Sequence, residues 1–233
     1  MRSPLSSDRL IVAFDTTDLA RAASWAKATA PHVGVFKLGL EFFLANGAAG
    51  VRAIGGRPVF LDLKLHDIPN TVAGGVRAVL DLRPKMLTIH ASGGAAMIEA
   101  ARRAADTAGA ERPMILAVTV LTSLDAAALA ATGVLDQPAD QVLRLARLAL
   151  SAGADALVCS PLEVAMLRAS LGPEAVLVVP GIRPAGAATD DQARTMTPAQ
   201  AVAAGANWIV VGRPITGAID PGAAAAAIAD SVS

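Results

Sequence analysis

Eight short runs rich in Val, Ile and Leu alternate along this chain with amphipathic Ala/Leu/Arg segments, and no other feature restricts the possible folds as much. The runs cover residues 10–14, 35–38, 59–64, 86–90, 114–120, 156–159, 176–179 and 208–211. Most are apolar without a polar face, as strands covered on both sides require. Helical periodicity fills residues 19–29, 42–54, 71–82, 95–107, 139–151, 162–170 and 198–204, with Gly or Pro at most joins. Eight β-α units in 233 residues predict an α/β fold of the (β/α)8 TIM-barrel type. No Pro/Gly/Ser-rich linker divides the chain, so residues 1–233 are expected to form one domain. The alternative is a doubly wound open sheet. Its dinucleotide-binding form is disfavoured, because the first run leads into Asp15-Thr16-Thr17-Asp18 and not into G-x-G-x-x-G.

The third run breaks the apolar pattern. It continues as Phe60-Leu61-Asp62-Leu63-Lys64-Leu65-His66-Asp67-Ile68-Pro69-Asn70-Thr71. On an extended strand Asp62 and Lys64 share one face while Leu61, Leu63 and Leu65 take the other. A solvated edge strand with an incidental ion pair would also read this way, but an enclosed parallel sheet leaves little room for a wet edge. Unpaired buried charges cost several kcal/mol, so an inward ammonium between acids implies a task.

Other polar residues fall at the C-terminal ends of the expected strands, where barrels of this type gather their chemistry: Asp15, Lys37, His90, Thr122 with Ser123, Arg183 and Arg213. Singly, each has a plainer reading. Asp15 could belong to a helix start, and His90 could be a satisfied core histidine. The last strand ends Val210-Val211-Gly212-Arg213-Pro214. Glycine lets a backbone approach an anion, arginine supplies a two-pronged donor, and proline suits the first turn of a helix whose amides face back. This reads as a phosphate cup, with Arg183 after strand seven as a second guanidinium. Residues 184–197, including Gln192, are too long and polar for a tight connection; they read either as a lid that could fold over a bound phosphate or as a plain surface loop, and the neighbouring arginines favour the lid.

Composition narrows the partners. Lys and Arg total 20, equal to Asp and Glu, and aromatics are only 3%, so neither a steering field nor base-stacking platforms favour nucleic acid. One cysteine, Cys159, and three dispersed histidines provide no disulfide and no zinc spacing. The first fifteen residues carry Arg2, Asp8 and Arg9 without a sustained apolar run, and no stretch reads as a membrane span. A cytoplasmic protein acting on a small molecule is expected.

Several segments together resemble one family. They are Ala13-Phe14-Asp15, Phe36-Lys37-Leu38-Gly39, the run from Phe60 to Val72, Thr88-Ile89-His90-Ala91, Val120-Leu121-Thr122-Ser123, Pro180-Gly181-Ile182-Arg183-Pro184, Asp191-Gln192 and Val211-Gly212-Arg213-Pro214. In type and order they are similar to those of the bacterial orotidine 5'-monophosphate decarboxylases, which complete de novo UMP synthesis. The long D-x-K-x-x-D-I-P-N-T run is the specific element. The resemblance implies a cofactor-free, metal-free homodimer binding a nucleotide, with an alternating array of Lys37, Asp62, Lys64 and Asp67. Asp67 and Thr71 would come from the partner subunit, and Lys64 would donate the proton. It further assigns Asp15 and Lys37 to the ribose hydroxyls and Thr122, with Ser123 nearby, to the pyrimidine. Gln192, Gly212 and Arg213 go to the phosphate, with Arg183 assisting.

Two other functions fit parts of the pattern. Magnesium-dependent sugar-phosphate decarboxylases or aldolases of the same lineage share the D-x-K-x-x-D core, but would place a carboxylate where Lys37 stands, and an ammonium opposes a divalent cation. A non-catalytic nucleotide-binding barrel would have no need of a balanced Lys/Asp array.

Overall fold

In the computed structural model, which describes residues 6–184 and 196–232, eight parallel strands close into a barrel in sequence order. The strands are β1 (Leu10–Phe14), β2 (Val35–Gly39), β3 (Val59–Leu65), β4 (Met86–His90), β5 (Met114–Val118), β6 (Ala156–Val158), β7 (Leu177–Val179) and β8 (Trp208–Val211). Closure is made by β1 on β8, with Leu10 opposite Ile209 and Val12 opposite Val211. The fold is therefore the expected (β/α)8 barrel.

Among the described residues, ten α-helices lie between and after the strands: α1 (Leu19–Thr29), α2 (Leu40–Ala53), α3 (Pro69–Val79), α4 (Ala95–Asp106), α5 (Ala126–Ala131), α6 (Pro138–Ser151), α7 (Val164–Leu171), α8 (Pro198–Ala204), α9 (Arg213–Thr216) and α10 (Pro221–Asp230). Their starts follow capping chemistry. Asp18 accepts from the Arg21 amide at 3.0 Å, Asp220 from the Ala223 amide at 2.9 Å, and Thr197 with Gln200 forms a reciprocal capping box before Pro198. None of these helices is long and apolar enough to cross a membrane. Periodicity does not single out α5 and α10, which are short or almost wholly alanine and carry little amphipathic signal, while α9 is expected only from its Gly-Arg-Pro start.

Alternation along each strand divides the core in two. Ile11, Val35, Phe60, Met86, Leu116 and Val178 fill the barrel interior, while Leu10, Val12, Leu38, Leu61, Leu87 and Ile209 face the helices. The helices meet the outer layer through larger apolar side chains, such as Phe42, Val76, Leu145 and Leu167, together with many alanines. On α4, Ala100, Ala101, Ala104 and Ala105 are buried beside Met97 and Ile98. At the N-terminal end of the barrel Asp155 accepts two bonds of 2.8 Å from Arg112 and one of 3.0 Å from Arg102, and also takes the Ile115 amide. That cluster ties the strand starts to α4, so these charges are structural. The opposite end carries the site.

Two boundaries differ from expectation in ways that matter there. Strand β5 stops at Val118, which leaves Leu121 to Leu124 free to turn at the barrel mouth. Strand β3 is not regular to its end: Leu61 pairs with Leu87 and Leu65 with Ile89, so Asp62, Leu63 and Lys64 face the single residue Thr88. Leu65, expected to pack beside Leu61 and Leu63, is only half-buried after this irregularity.

Candidate active site

The β3 bulge shapes the charged row. Bulges concentrate beside functional sites because they re-aim side chains that a regular ladder would fix. Here Lys64 takes φ +50°, one of two non-glycine residues with positive φ among those described. For an L residue this left-handed conformation costs about 1–2 kcal/mol, so the surroundings must hold it.

From there the charges alternate through one chain. Lys64 Nζ lies 2.8 Å from Asp62 Oδ1, Lys37 Nζ lies 3.3 Å from Asp62 Oδ2, and the same ammonium is 3.3 Å from Asp15 Oδ1. Lys37 and Asp62 side chains are each 12% exposed, whereas Lys64 is 37% and Asp15 60% exposed. The centre of the row is therefore dry and its ends are wet. Burial alone would favour the neutral forms. For Asp62 the flanking Lys37 and Lys64 ammonium groups, with hydrogen bonds from Lys64 and Thr88, outweigh desolvation and hold the carboxyl below its ordinary range. For Lys37, Asp62 and Asp15 outweigh desolvation and raise the ammonium above its ordinary value. The buried pair stays ionised at neutral pH.

All four side chains line one cavity of about 270 Å³ at the C-terminal end of the barrel. Ala13, Phe60, Val118, Val158, Val178 and Val210 supply apolar wall beside the charged row. The same cavity is also lined by Gly181, Arg183, Gly212 and Arg213. Gly181 has φ +78°, a turn after β7 that a side chain would strain. Arg183 is buried, Ile182 and Met196 form a parallel bridge, and the Arg183 amide donates to the Met196 carbonyl at 3.0 Å. The expected helix after Gly212 is a single turn, α9, whose Ile215 and Thr216 amides already bond the Gly212 carbonyl. A long helix with amides aimed at an anion is thus absent, and the guanidinium groups carry the positive charge of this wall.

The remaining expected residues divide. Thr122 lines the cavity from the turn after β5, while Ser123 beside it is exposed and does not. Asp67 and Thr71 are exposed and outside the cavity, and the Asp67 carboxylate accepts the Ile68 amide at 2.6 Å. The fourth member of the row within this chain is accordingly Asp15. Asp18, not Asp15, caps α1. Gln192 and most of the expected lid, residues 185–195, lie outside the described residues. His90 is not a cavity residue; its ring lies 5.4 Å from that of His66, and burial, His66 and Lys64 together push its pKa down. Among the described residues no group of three or more His, Cys, Asp or Glu could hold a metal ion.

One participant was overlooked. Thr88 is fully buried, its hydroxyl donating to Asp62 Oδ1 at 2.9 Å and accepting from the Lys64 amide at 2.9 Å. The signal was present: Met86, Thr88 and His90 share the inward face of β4, where apolar residues are the rule.

Comparison with known proteins finds relatives along nearly the whole chain. Residues 8–228 match the family described as Orotidine 5'-phosphate decarboxylase / HUMPS family. The orotidine 5'-phosphate decarboxylase of Anaeromyxobacter sp. (strain K) is 58% identical over 225 residues, spanning 96% of this chain and 97% of that protein. Its namesake in Gluconobacter oxydans (strain 621H) is 56% identical over 229 residues, covering 97% of both. Among solved structures, that of orotidine 5'-phosphate decarboxylase from Lactobacillus acidophilus matches with a TM-score of 0.85 at 38% identity, covering 96% of this chain and 98% of that one.

Proposed function

The chain belongs to the Orotidine 5'-phosphate decarboxylase / HUMPS family, and from that premise we propose that it converts orotidine 5'-monophosphate to UMP without a cofactor, with Lys64 as the proton donor. It is an enzyme, a carboxy-lyase. The observation that carries the mechanism is the row Asp15–Lys37–Asp62–Lys64 lining the same cavity as Arg183 and Arg213.

Breaking the bond from C6 to its carboxylate releases CO2 and leaves the electron pair on C6, where no neighbouring group can delocalise it. The site must meet that charge electrostatically, and Lys64 is the cation at the wall. Its Nζ proton then passes to C6, and the neutral amine regains a proton from solvent. Asp62 holds Lys64 in place at 2.8 Å, and in this proposal it is the carboxylate that the departing CO2 group leaves behind in the site. Lys37, locked between two carboxylates, keeps Asp62 ionised and with Asp15 offers polar contacts to the ribose hydroxyls. Thr122 faces the pyrimidine edge. Arg183, Gly212 and Arg213 receive the 5'-phosphate, with Gln192 assigned to the same group by the family pattern.

Asp67 and Thr71 act in a neighbouring pocket in this proposal. Both are exposed at the start of α3, outside their own cavity, which is where residues shared across a two-fold axis would lie. The decisive assay is the absorbance change of orotidine 5'-monophosphate with and without EDTA. Turnover unaffected by chelation supports the proposal. Loss with EDTA and recovery with magnesium would transfer the chain to sugar-phosphate chemistry, and no turnover in either condition would leave a binding protein.

A further inference from the structure

We propose that Thr88 is the positioning residue that sets both the aim of Lys64 and the acceptor role of Asp62, through a single hydroxyl placed in the β3 bulge. The inference rests on the reading of Lys64 as proton donor and adds a residue that this reading leaves out.

The argument begins with the ladder. Where β3 and β4 lose register, three residues of β3 face Thr88 alone, so regular strand pairing cannot supply every backbone partner. The Lys64 amide instead donates to the Thr88 hydroxyl at 2.9 Å. This bond anchors a main chain held at φ +50°, a conformation that fixes the direction in which the Lys64 side chain leaves the strand. A buried amide at that point has a strong need for an acceptor.

Polarity follows from stoichiometry. A threonine hydroxyl has one proton to give. Its oxygen already receives the Lys64 amide, and the proton goes to Asp62 Oδ1, 2.9 Å away. The same oxygen accepts Lys64 Nζ at 2.8 Å. Asp62 Oδ1 thus takes two donors, and Oδ2 faces Lys37. Backbone amide, hydroxyl, carboxylate and ammonium of Lys64 form a closed loop that begins and ends on one residue. The Thr88 side chain is wholly buried and does not line the cavity, so it acts through Asp62 and Lys64, with no reach to substrate.

The test uses Thr88→Val, which keeps the branched shape and deletes the hydroxyl, and Thr88→Ser, which keeps the hydroxyl. In enzyme whose wild type turns over orotidine 5'-monophosphate, Thr88→Val should lower kcat at least tenfold with KM within threefold, and Thr88→Ser should keep kcat within threefold. A folded Thr88→Val enzyme retaining more than half of wild-type kcat would overturn the proposal, as would a serine variant as impaired as the valine one. Hydrogen exchange of the Lys64 amide in the wild type provides a second readout that needs neither folded variants nor turnover. Strong protection supports the bond to Thr88, and exchange at the rate of exposed loop amides refutes it. Should the wild type prove inactive on orotidine 5'-monophosphate, the functional reading fails, while the exchange experiment still decides whether the hydroxyl holds the Lys64 main chain.

Discussion

Replacing Asp62 with asparagine removes the central negative charge and keeps the shape. The side-chain oxygen can still accept from Thr88, so the perturbation is mainly electrostatic. At an effective dielectric of about 20, opposite charges about 3 Å apart attract by roughly 5 kcal/mol before desolvation is subtracted. The Lys64 contact counts for less, because that side chain is 37% exposed and water screens it. The Lys37 contact counts for more, with both partners 12% exposed. Removing one member of a buried pair typically costs about 3–5 kcal/mol, since the survivor stays buried without compensation. The lower figure applies here because Asp15 still faces Lys37 at 3.3 Å. A loss of about 3 kcal/mol corresponds to a Tm about 6–12 °C lower in a chain of this size.

The sign with pH is fixed by the same charges. Asp62 is held below its ordinary range, so its contribution is complete above about pH 4 and disappears as pH falls through the folded-state value. Lys37 is held above 10.5, so its contribution is complete below that value and disappears as pH rises through the folded-state value. The deficit of Asp62→Asn should therefore form a plateau between about pH 4 and 10.5 and shrink on both sides. Thermal melts of both proteins at matched concentration across this range provide the assay. A Tm difference under about 2 °C at pH 7, or one that does not narrow toward acid, would refute the view that Asp62 compensates a buried ammonium.

Two further outcomes follow from the site. Arg213→Ala should lower kcat/KM by at least about a hundredfold, and removing the phosphate from the substrate should have a comparable effect, because binding energy far from C6 can organise the reacting geometry. A nucleoside that reacts as well as the nucleotide would contradict the proposed cup. Lys64→Ala and Asp67→Ala homodimers should each be badly impaired, yet mixing them through unfolding and refolding should raise activity well above the sum of the parents, since one hybrid pocket is intact; confirmed hybrids without that gain would place Asp67 in its own subunit's chemistry.

How far the sequence could be read varies with the kind of signal. Barrel strands are covered on both faces, so residues 10–14, 86–90 and 208–211 announce themselves as apolar runs, and the observed strands there have those limits. Asp62 and Lys64 were legible because charge on an apolar strand stands out. The bulge between Leu61 and Leu65 was not, because a register shift depends on the neighbouring strand and leaves no periodicity of its own. Thr88 was missed for a related reason: threonine is common in strands, and only its position opposite that bulge makes its hydroxyl matter. The alanine-rich α10 lacked a polar face to contrast with its buried one. The shortness of α9 was equally hidden, since Gly-Arg-Pro marks where a helix begins and says nothing of where it stops.

The central claim is that Lys64, aimed by Asp62, both stabilises the C6 carbanion and protonates it. Its most direct test is kcat of Lys64→Ala on orotidine 5'-monophosphate, measured on protein whose melting confirms that it folds. Loss of the proton donor and of the opposing charge together should lower kcat by at least about a thousandfold. A folded variant that keeps more than a tenth of wild-type kcat would contradict the account.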